Sequence, residues 1–130
     1  MPSIFSKIVA GEIPCYKIAE TANCLAFLDV FPLVKGHTLV IPKKEIDYIF
    51  DVDDALFAEL QLFSKKVARA IGKAIPCKRV GVAVIGLEVP HAHIHLIPIN
   101  GVGDINFSHP KLKLTEAEFK EVQASIVKHL

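Results

Sequence analysis

Three histidines at alternate positions, His91, His93 and His95, stand in the run Val89-Pro90-His91-Ala92-His93-Ile94-His95-Leu96-Ile97-Pro98. They are half of the 6 histidines in the chain. Along an extended strand, side chains alternate between faces, so the three imidazoles share one face. Ala92, Ile94 and Leu96 share the other and can enter a core. Three kinds of chemistry are open to such a face. It can be a polar surface whose histidines satisfy one another and the backbone with hydrogen bonds. It can hold a metal ion such as zinc, which ionises a bound water for hydrolysis, with Glu88 as the nearby carboxylate. It can also do covalent chemistry. One imidazole nitrogen attacks phosphorus while its other nitrogen is held as a donor, and neighbouring imidazoles donate to the phosphoryl oxygens and the leaving group. Charged, the three would repel one another, so some are expected to be neutral near pH 7.

Such a face needs rigid support. Val89 to Ile99 reads as a strand, with Pro90 and Pro98 near its ends where a missing amide donor is tolerated. Further strands are expected at Lys17–Glu20, Cys24–Leu28, His37–Ile41 (opened by Gly36 and closed by Pro42) and Arg79–Ile85. Asp29 to Lys35, containing Pro32, reads as a loop. A short helical turn is expected within Ile4–Ile13, where Phe5, Ile8 and Val9 cluster at helical spacing. Leu56, Leu60, Phe63, Val67 and Ile71 make the apolar stripe of a long helix, capped by Asp53 or Asp54 and stopped by Gly72 or Pro76. Thr115 and Glu118 form a capping-box pattern before a last helix with Phe119, Val122 and Ile126 on one side. The architecture expected is α+β: an antiparallel sheet of about five strands, one long central helix and a C-terminal helix. Residues 1–130 read as one domain, with 101–130 as a C-terminal extension packed on it.

Composition narrows the functional classes. The chain has 130 residues, 52% hydrophobic and 22% charged, with a formal net charge of +1. This suits one globular domain and gives no bulk attraction to nucleic acid or to an anionic membrane. No apolar run is long enough to span a bilayer. Met1-Pro2-Ser3-Ile4-Phe5-Ser6-Lys7 lacks the basic-then-apolar order of a secretory signal. Cys15, Cys24 and Cys77 are odd in number and far apart, as free thiols in a reducing compartment would be; the expected location is cytoplasmic. No Walker loop, dinucleotide fingerprint, zinc-peptidase helix or serine elbow is present. Lys43-Lys44 and Lys65-Lys66 read as solvated charge, and His109 and His129 as surface residues.

The triad resembles the signature of the histidine triad (HIT) nucleotide-binding proteins. Ile4-Phe5-Ser6-Lys7-Ile8, Gly11-Glu12-Ile13-Pro14, Cys24-Leu25-Ala26-Phe27-Leu28-Asp29 and Gly36-His37-Thr38-Leu39-Val40-Ile41-Pro42-Lys43-Lys44 are similar to other stretches of that family, in order. Together they cover roughly residues 4 to 99. The resemblance implies a hydrolase or transferase acting at the α-phosphorus of purine nucleotide conjugates, such as phosphoramidates or adenylylated compounds, through a nucleotidyl-histidine intermediate. It assigns the nucleophile to His93, donation to the phosphate and leaving group to His95, and supporting positions to His91 and His37. It assigns the ribose hydroxyls to Asp29 and the purine slot to Ile4, Phe5, Ile8, Phe27 and Val30. It also implies a homodimer and no metal or other cofactor. The chain departs from the family pattern before the triad. Gly86-Leu87-Glu88-Val89-Pro90 is shorter than the usual Gly-rich loop, and Glu88 stands where a neutral phosphate donor is expected. Weak chemistry, or a regulatory module that only binds nucleotide, is the alternative this departure raises.

Overall fold

The computed structural model describes residues 2–130. Its five strands are β1 (Lys17–Glu20), β2 (Cys24–Leu28), β3 (Thr38–Pro42), β4 (Arg79–Ala83) and β5 (Ile94–Ile99). They form one antiparallel sheet in the order β1-β2-β3-β5-β4. The helices are α1 (Ile4–Val9), α2 (Asp54–Ala74) and α3 (Glu116–Val127). The fold is therefore the α+β arrangement expected, with a long central helix and a C-terminal one.

The central strands are covered on both sides, which explains why β2 and β3 read as unbroken apolar runs. On one side, Cys24, Ala26, Leu28, Val40, Ala92, Ile94 and Leu96 meet Leu60, Phe63, Val67 and Ile71 of α2 and Phe119, Val122 and Ile126 of α3. On the other, Leu25, Phe27, Leu39 and Ile41 meet Phe5 of α1. Period-two alternation thus sends each strand's odd and even residues into different cores. Asp53 caps α2 by accepting the Leu56 N–H, and Thr115 with Glu118 closes the capping box of α3. Tyr16 stacks on Phe119, which draws α3 onto the sheet. The three cysteines are free.

Of the two expected stops of α2, the helix passes through Gly72 and ends at Ala74, just ahead of Pro76. Other boundaries differ from expectation. β4 stops at Ala83, and β3 begins at Thr38 and includes Pro42. The strand expected from Val89 begins only at Ile94, so His95 lies in β5 while His91 and His93 precede it. Pro90 has no amide to give a ladder. The His91 N–H turns back to the Val89 carbonyl, and the Ala92 N–H goes to the Ile46 carbonyl at 2.7 Å, outside the sheet. The alternation nevertheless continues through this lead-in: Ala92 is buried on the α2 side together with Ile94 and Leu96.

Candidate active site

The site is built where α1, the loop after β2, and the lead-in to β5 converge. His95 sits opposite Leu39 of β3 and Ala83 of β4, between two strands. His37 stands one residue before β3, at the end of the Asp29–His37 loop. That loop closes through the Asp29 N–H to the His37 carbonyl and the His37 N–H to the Val34 carbonyl. Gly36 makes the last turn with φ +93°, and a Cβ there would lie 2.9 Å from Ile75 Cγ1. Glycine fits that position because the backbone is left-handed and the space is filled.

All four histidines are buried: His37 is 1% exposed, His91 0%, and His93 and His95 7% each. Their hydrogen bonds form a network whose direction is determined by groups that can only donate or only accept. The Leu33 N–H donates to His37 Nδ1 at 3.0 Å. His37 therefore carries its proton on Nε2, from which it donates to His95 Nδ1 at 2.9 Å. His95 in turn keeps its proton on Nε2. The His91 carbonyl accepts at 2.8 Å from His93 Nδ1, so the His93 proton is on Nδ1 and the Nε2 lone pair is free. The Pro42 carbonyl accepts from His91 Nε2 at 2.8 Å, which leaves His91 Nδ1 to accept from the Ser3 hydroxyl at 2.8 Å. A neutral imidazole has one donor and one acceptor, and each ring here uses them in a single consistent way.

The electrostatics agree with these tautomers. Burial holds the His95 pKa down to about 3; a proton there would also meet Lys111 and any charge gained by His37 or His93, while Asp29 acts in the opposite direction. Burial also holds His37 down to about 4, with Lys111 and His93 adding to the effect. His91 is lowered as well, mainly by burial. The repulsion expected within the triad is thus relieved by keeping rings neutral.

Most of the residues singled out in the sequence are gathered here. Asp29 has a side chain 17% exposed, with Oδ2 3.5 Å from His37 Nε2. Its Oδ1 accepts the Phe31 N–H at 2.9 Å. Phe5 packs edge-to-face on Phe27 at 5.6 Å and on His93 at 5.1 Å. Ile8 is half-buried against the same cluster. Ile4 and Val30 are exposed, at 50% and 48%, and Glu88 is exposed on the loop between β4 and the triad. A cleft of ≈ 410 Å³, lined by Tyr48, Phe50, Phe57, Val84, Ile85 and His93 among others, opens beside the triad. The sequence reading missed Ser3, which caps α1 by accepting the Ser6 N–H and also serves His91. A serine directly before an apolar helical turn was the available signal. The Leu33 amide and the Pro42 and His91 carbonyls are backbone groups, which carry no residue-type signal.

The HIT domain family model matches residues 10–101. The chain belongs to the HIT family. The adenosine 5'-monophosphoramidase hnt1 of Schizosaccharomyces pombe is 43% identical over 99 residues, covering 75% of this chain and 74% of that protein. A solved HIT-like protein involved in cell-cycle regulation, from Bartonella henselae, superposes with a TM-score of 0.87 at 28% identity, covering 98% of this chain and 96% of that one. A zinc-bound histidine triad family protein from Mycobacterium smegmatis superposes with a TM-score of 0.79 at 26% identity, covering 96% and 93%. Membership gives this HIT protein the family's general chemistry, nucleotidyl hydrolysis or transfer.

A metal can be tested against the donors present. Asp29, His37 and His95 each offer one ligand atom, all within 4.8 Å of one another. The arrangement does not fit an ion. The lone pair at His37 Nδ1 is taken by the Leu33 N–H, so Nε2, the atom facing His95, carries the proton. Ligation there requires an imidazolate, or a tautomer that turns an N–H against the Leu33 N–H.

The neutral buried rings give the site a pH signature. A histidine whose folded pKa lies below its unfolded value of 6.5 binds more protons unfolded than folded. Its contribution is complete above pH 6.5 and is lost as pH falls toward about 4 for His37 and about 3 for His95. Urea unfolding between pH 7 and pH 5 should therefore show falling stability, with each such ring contributing a slope of up to roughly 1.4 kcal/mol per pH unit. An unfolding free energy that is constant over that range contradicts the neutral assignment.

Proposed function

We propose that the protein hydrolyses, or transfers the nucleotidyl group of, purine nucleotide conjugates by attack of His93 on the α-phosphorus. The observation that carries this reading is the 2.8 Å bond from His93 Nδ1 to the His91 carbonyl, which leaves Nε2 as a free nucleophile. The bond from Nε2 to phosphorus forms as the bond to the leaving group breaks. The imidazole gains positive charge in that step, and the His91 carbonyl faces the N–H that carries it. His95 Nε2–H donates to a non-bridging oxygen or to the departing atom, where negative charge develops. A departing amine takes its proton from solvent; water then attacks phosphorus and returns a proton to solvent, the bond from phosphorus to Nε2 breaks, the nucleoside monophosphate leaves, and His93 recovers its lone pair.

The surroundings support the nucleoside half of the substrate. Asp29 sits at the edge of the site, where a carboxylate can accept both hydrogens of a vicinal diol. We assign the purine to the apolar region where Phe5 packs on Phe27 and His93 with Ile8 against the same cluster, and give the exposed Ile4 and Val30 to the same role. Phosphoramidates are the favoured class, by analogy with the activity named for the Schizosaccharomyces pombe relative. The reading needs no metal or other cofactor. The packing of α3 against α2 and β1 supports treating residues 1–130 as one domain, with 101–130 as its extension.

A homodimer is part of the same proposal. β4 is an edge strand with Val82 exposed at 61%, and beside it a cleft of ≈ 490 Å³ runs between Val80, Val82 and the Gln61, Lys65 and Arg69 side of α2. An uncovered edge flanked by apolar surface suits pairing across a two-fold axis. No helix among the described residues is long and apolar enough to cross a membrane. Action on small nucleotides in the cytoplasm, with neither nucleic acid nor membrane as partner, belongs to the same proposal.

Release of AMP from an adenosine phosphoramidate tests the reading. His93→Ala should lower turnover by at least about a thousandfold, and His95→Ala by about a hundredfold. Asp29→Ala should remove about tenfold of preference for ribonucleotides over deoxynucleotides. Wild-type protein that binds AMP at micromolar concentration yet releases none from any conjugate contradicts catalysis and supports the binding module. For the dimer, light scattering at micromolar concentration should give twice the 14.3 kDa chain mass. A value of one chain mass contradicts it.

A further inference from the structure

The family match ends at residue 101, yet the chain beyond it returns to the histidines. Phe107, between the turn Val102–Asp104 and α3, places its ring 4.7 Å from that of His95 at 66° and 6.3 Å from that of His37 at 74°. Phe107 is itself only half-buried, so it lies between the His37–His95 pair and solvent. The segment that carries it is held in place along its length. Asp104 accepts the N–H groups of Asn100 and Gly101 at 2.7 and 3.1 Å. Ile105 lies over Gly81 of β4, where a Cβ would come within 2.5 Å of Ile105 Cδ1. Asn106 accepts from the Ser108 N–H, and the His109 N–H returns to the Asn106 carbonyl. Lys111 Nζ donates to the Phe107 carbonyl at 2.6 Å, and the Leu112 N–H donates to the Pro32 carbonyl at 2.8 Å. The last bond fastens the segment to the loop that carries Asp29, Leu33 and His37.

We propose that Phe107 is a positioning residue for the His37–His95 pair: its ring closes the pair to water and holds His95 in the orientation that presents Nε2–H to the substrate. The inference rests on the reading of His95 as a donor, and adds that a residue outside the family match maintains it. The physical reason is the weakness of a lone imidazole–imidazole hydrogen bond in water. Each ring can exchange its partner for solvent, and a protonated His95 loses the acceptor that receives the His37 proton. An aromatic ring packed edge-to-face removes the competing water and adds attraction at the observed separations. The charged and titratable groups around the pair are Asp29 from the loop after β2, His93 from the lead-in to β5, and Lys111 from the same segment as Phe107. Lys111 opposes protonation and Asp29 favours it, so removing Phe107 leaves the pair exposed to water between opposed charges.

Histidine ¹⁵N spectra followed against pH, with turnover measured in parallel, test the proposal. In the wild type, His37 and His95 should remain neutral Nε2–H tautomers down to pH 5. In Phe107→Ala both should take up protons nearer the ordinary histidine value, the acid limb of kcat should move to higher pH, and kcat should fall about tenfold or more with KM little changed. Phe107→Leu, which refills the volume, should restore the neutral tautomers and most of kcat. Phe107→Ala spectra and titration curves like those of the wild type overturn the proposal, as does a Phe107→Leu variant as defective as Phe107→Ala. If the wild type turns over no conjugate while the tautomers still respond to Phe107, the sealing role stands and the catalytic reading fails.

Discussion

The Leu33 peptide N–H on His37 Nδ1 sets the direction of the proton chain through His37 and His95. A backbone amide cannot accept, so His37 must place its proton on the side facing His95. His95 must then direct its own proton outward. A second backbone group, the His91 carbonyl, acts the opposite way on His93 and leaves a lone pair where His95 leaves a proton. One donor and one acceptor, both fixed in the main chain, thus make two neighbouring imidazoles chemically unlike. Side-chain partners could rotate or titrate; peptide groups do neither.

The rest of the fold can be understood as what keeps these two peptide groups in place. The Leu33 amide lies in a loop tied at both ends, by the closing pair between Asp29 and His37 and by the Leu112 N–H on the Pro32 carbonyl. The His91 carbonyl lies in a lead-in pinned by Ala92 to Ile46 and by the His91 ring, which bridges the Pro42 carbonyl and the Ser3 hydroxyl. Between them runs a sheet covered on both faces, whose β3 and β5 carry the histidines' neighbours in register. Burial is essential to the chemistry and not only to stability. It depresses the basicity of His37, His91 and His95, so that an array of adjacent imidazoles stays neutral.

Much of this was legible in the sequence. The apolar stripe of α2, the Asp53 cap, the Thr115–Glu118 box and the alternation of Ala92, Ile94 and Leu96 follow from local rules that the packed structure did not override. The triad was visible because histidine is uncommon and its spacing was regular. The start of β5 was not legible, because Pro90 removes one ladder bond while the amides of His91 and Ala92 find partners outside the sheet; a short apolar run does not reveal where its amides go. A shared face treats the three histidines alike, and only the middle position of His93, with a neighbouring imidazole on either side, set it apart in the sequence. What distinguishes them is supplied by the carbonyls of Pro42 and His91 and the amide of Leu33, and main-chain groups look the same at every residue. Phe107 was hidden for another reason: it lies 12 residues beyond His95, and only the return of the chain over the site brings it near.

The central claim is that His93 alone among the buried imidazoles offers phosphorus a free lone pair. Locating the covalent intermediate tests it most directly. Wild-type protein mixed with an adenylyl donor, quenched under conditions that preserve phosphorus–nitrogen bonds and digested to peptides, should carry the nucleotidyl mass on His93. The mass on His91 or His95 contradicts the tautomer assignment. Its absence from all three, in protein that turns over rapidly, contradicts covalent catalysis and returns the reaction to direct attack by water.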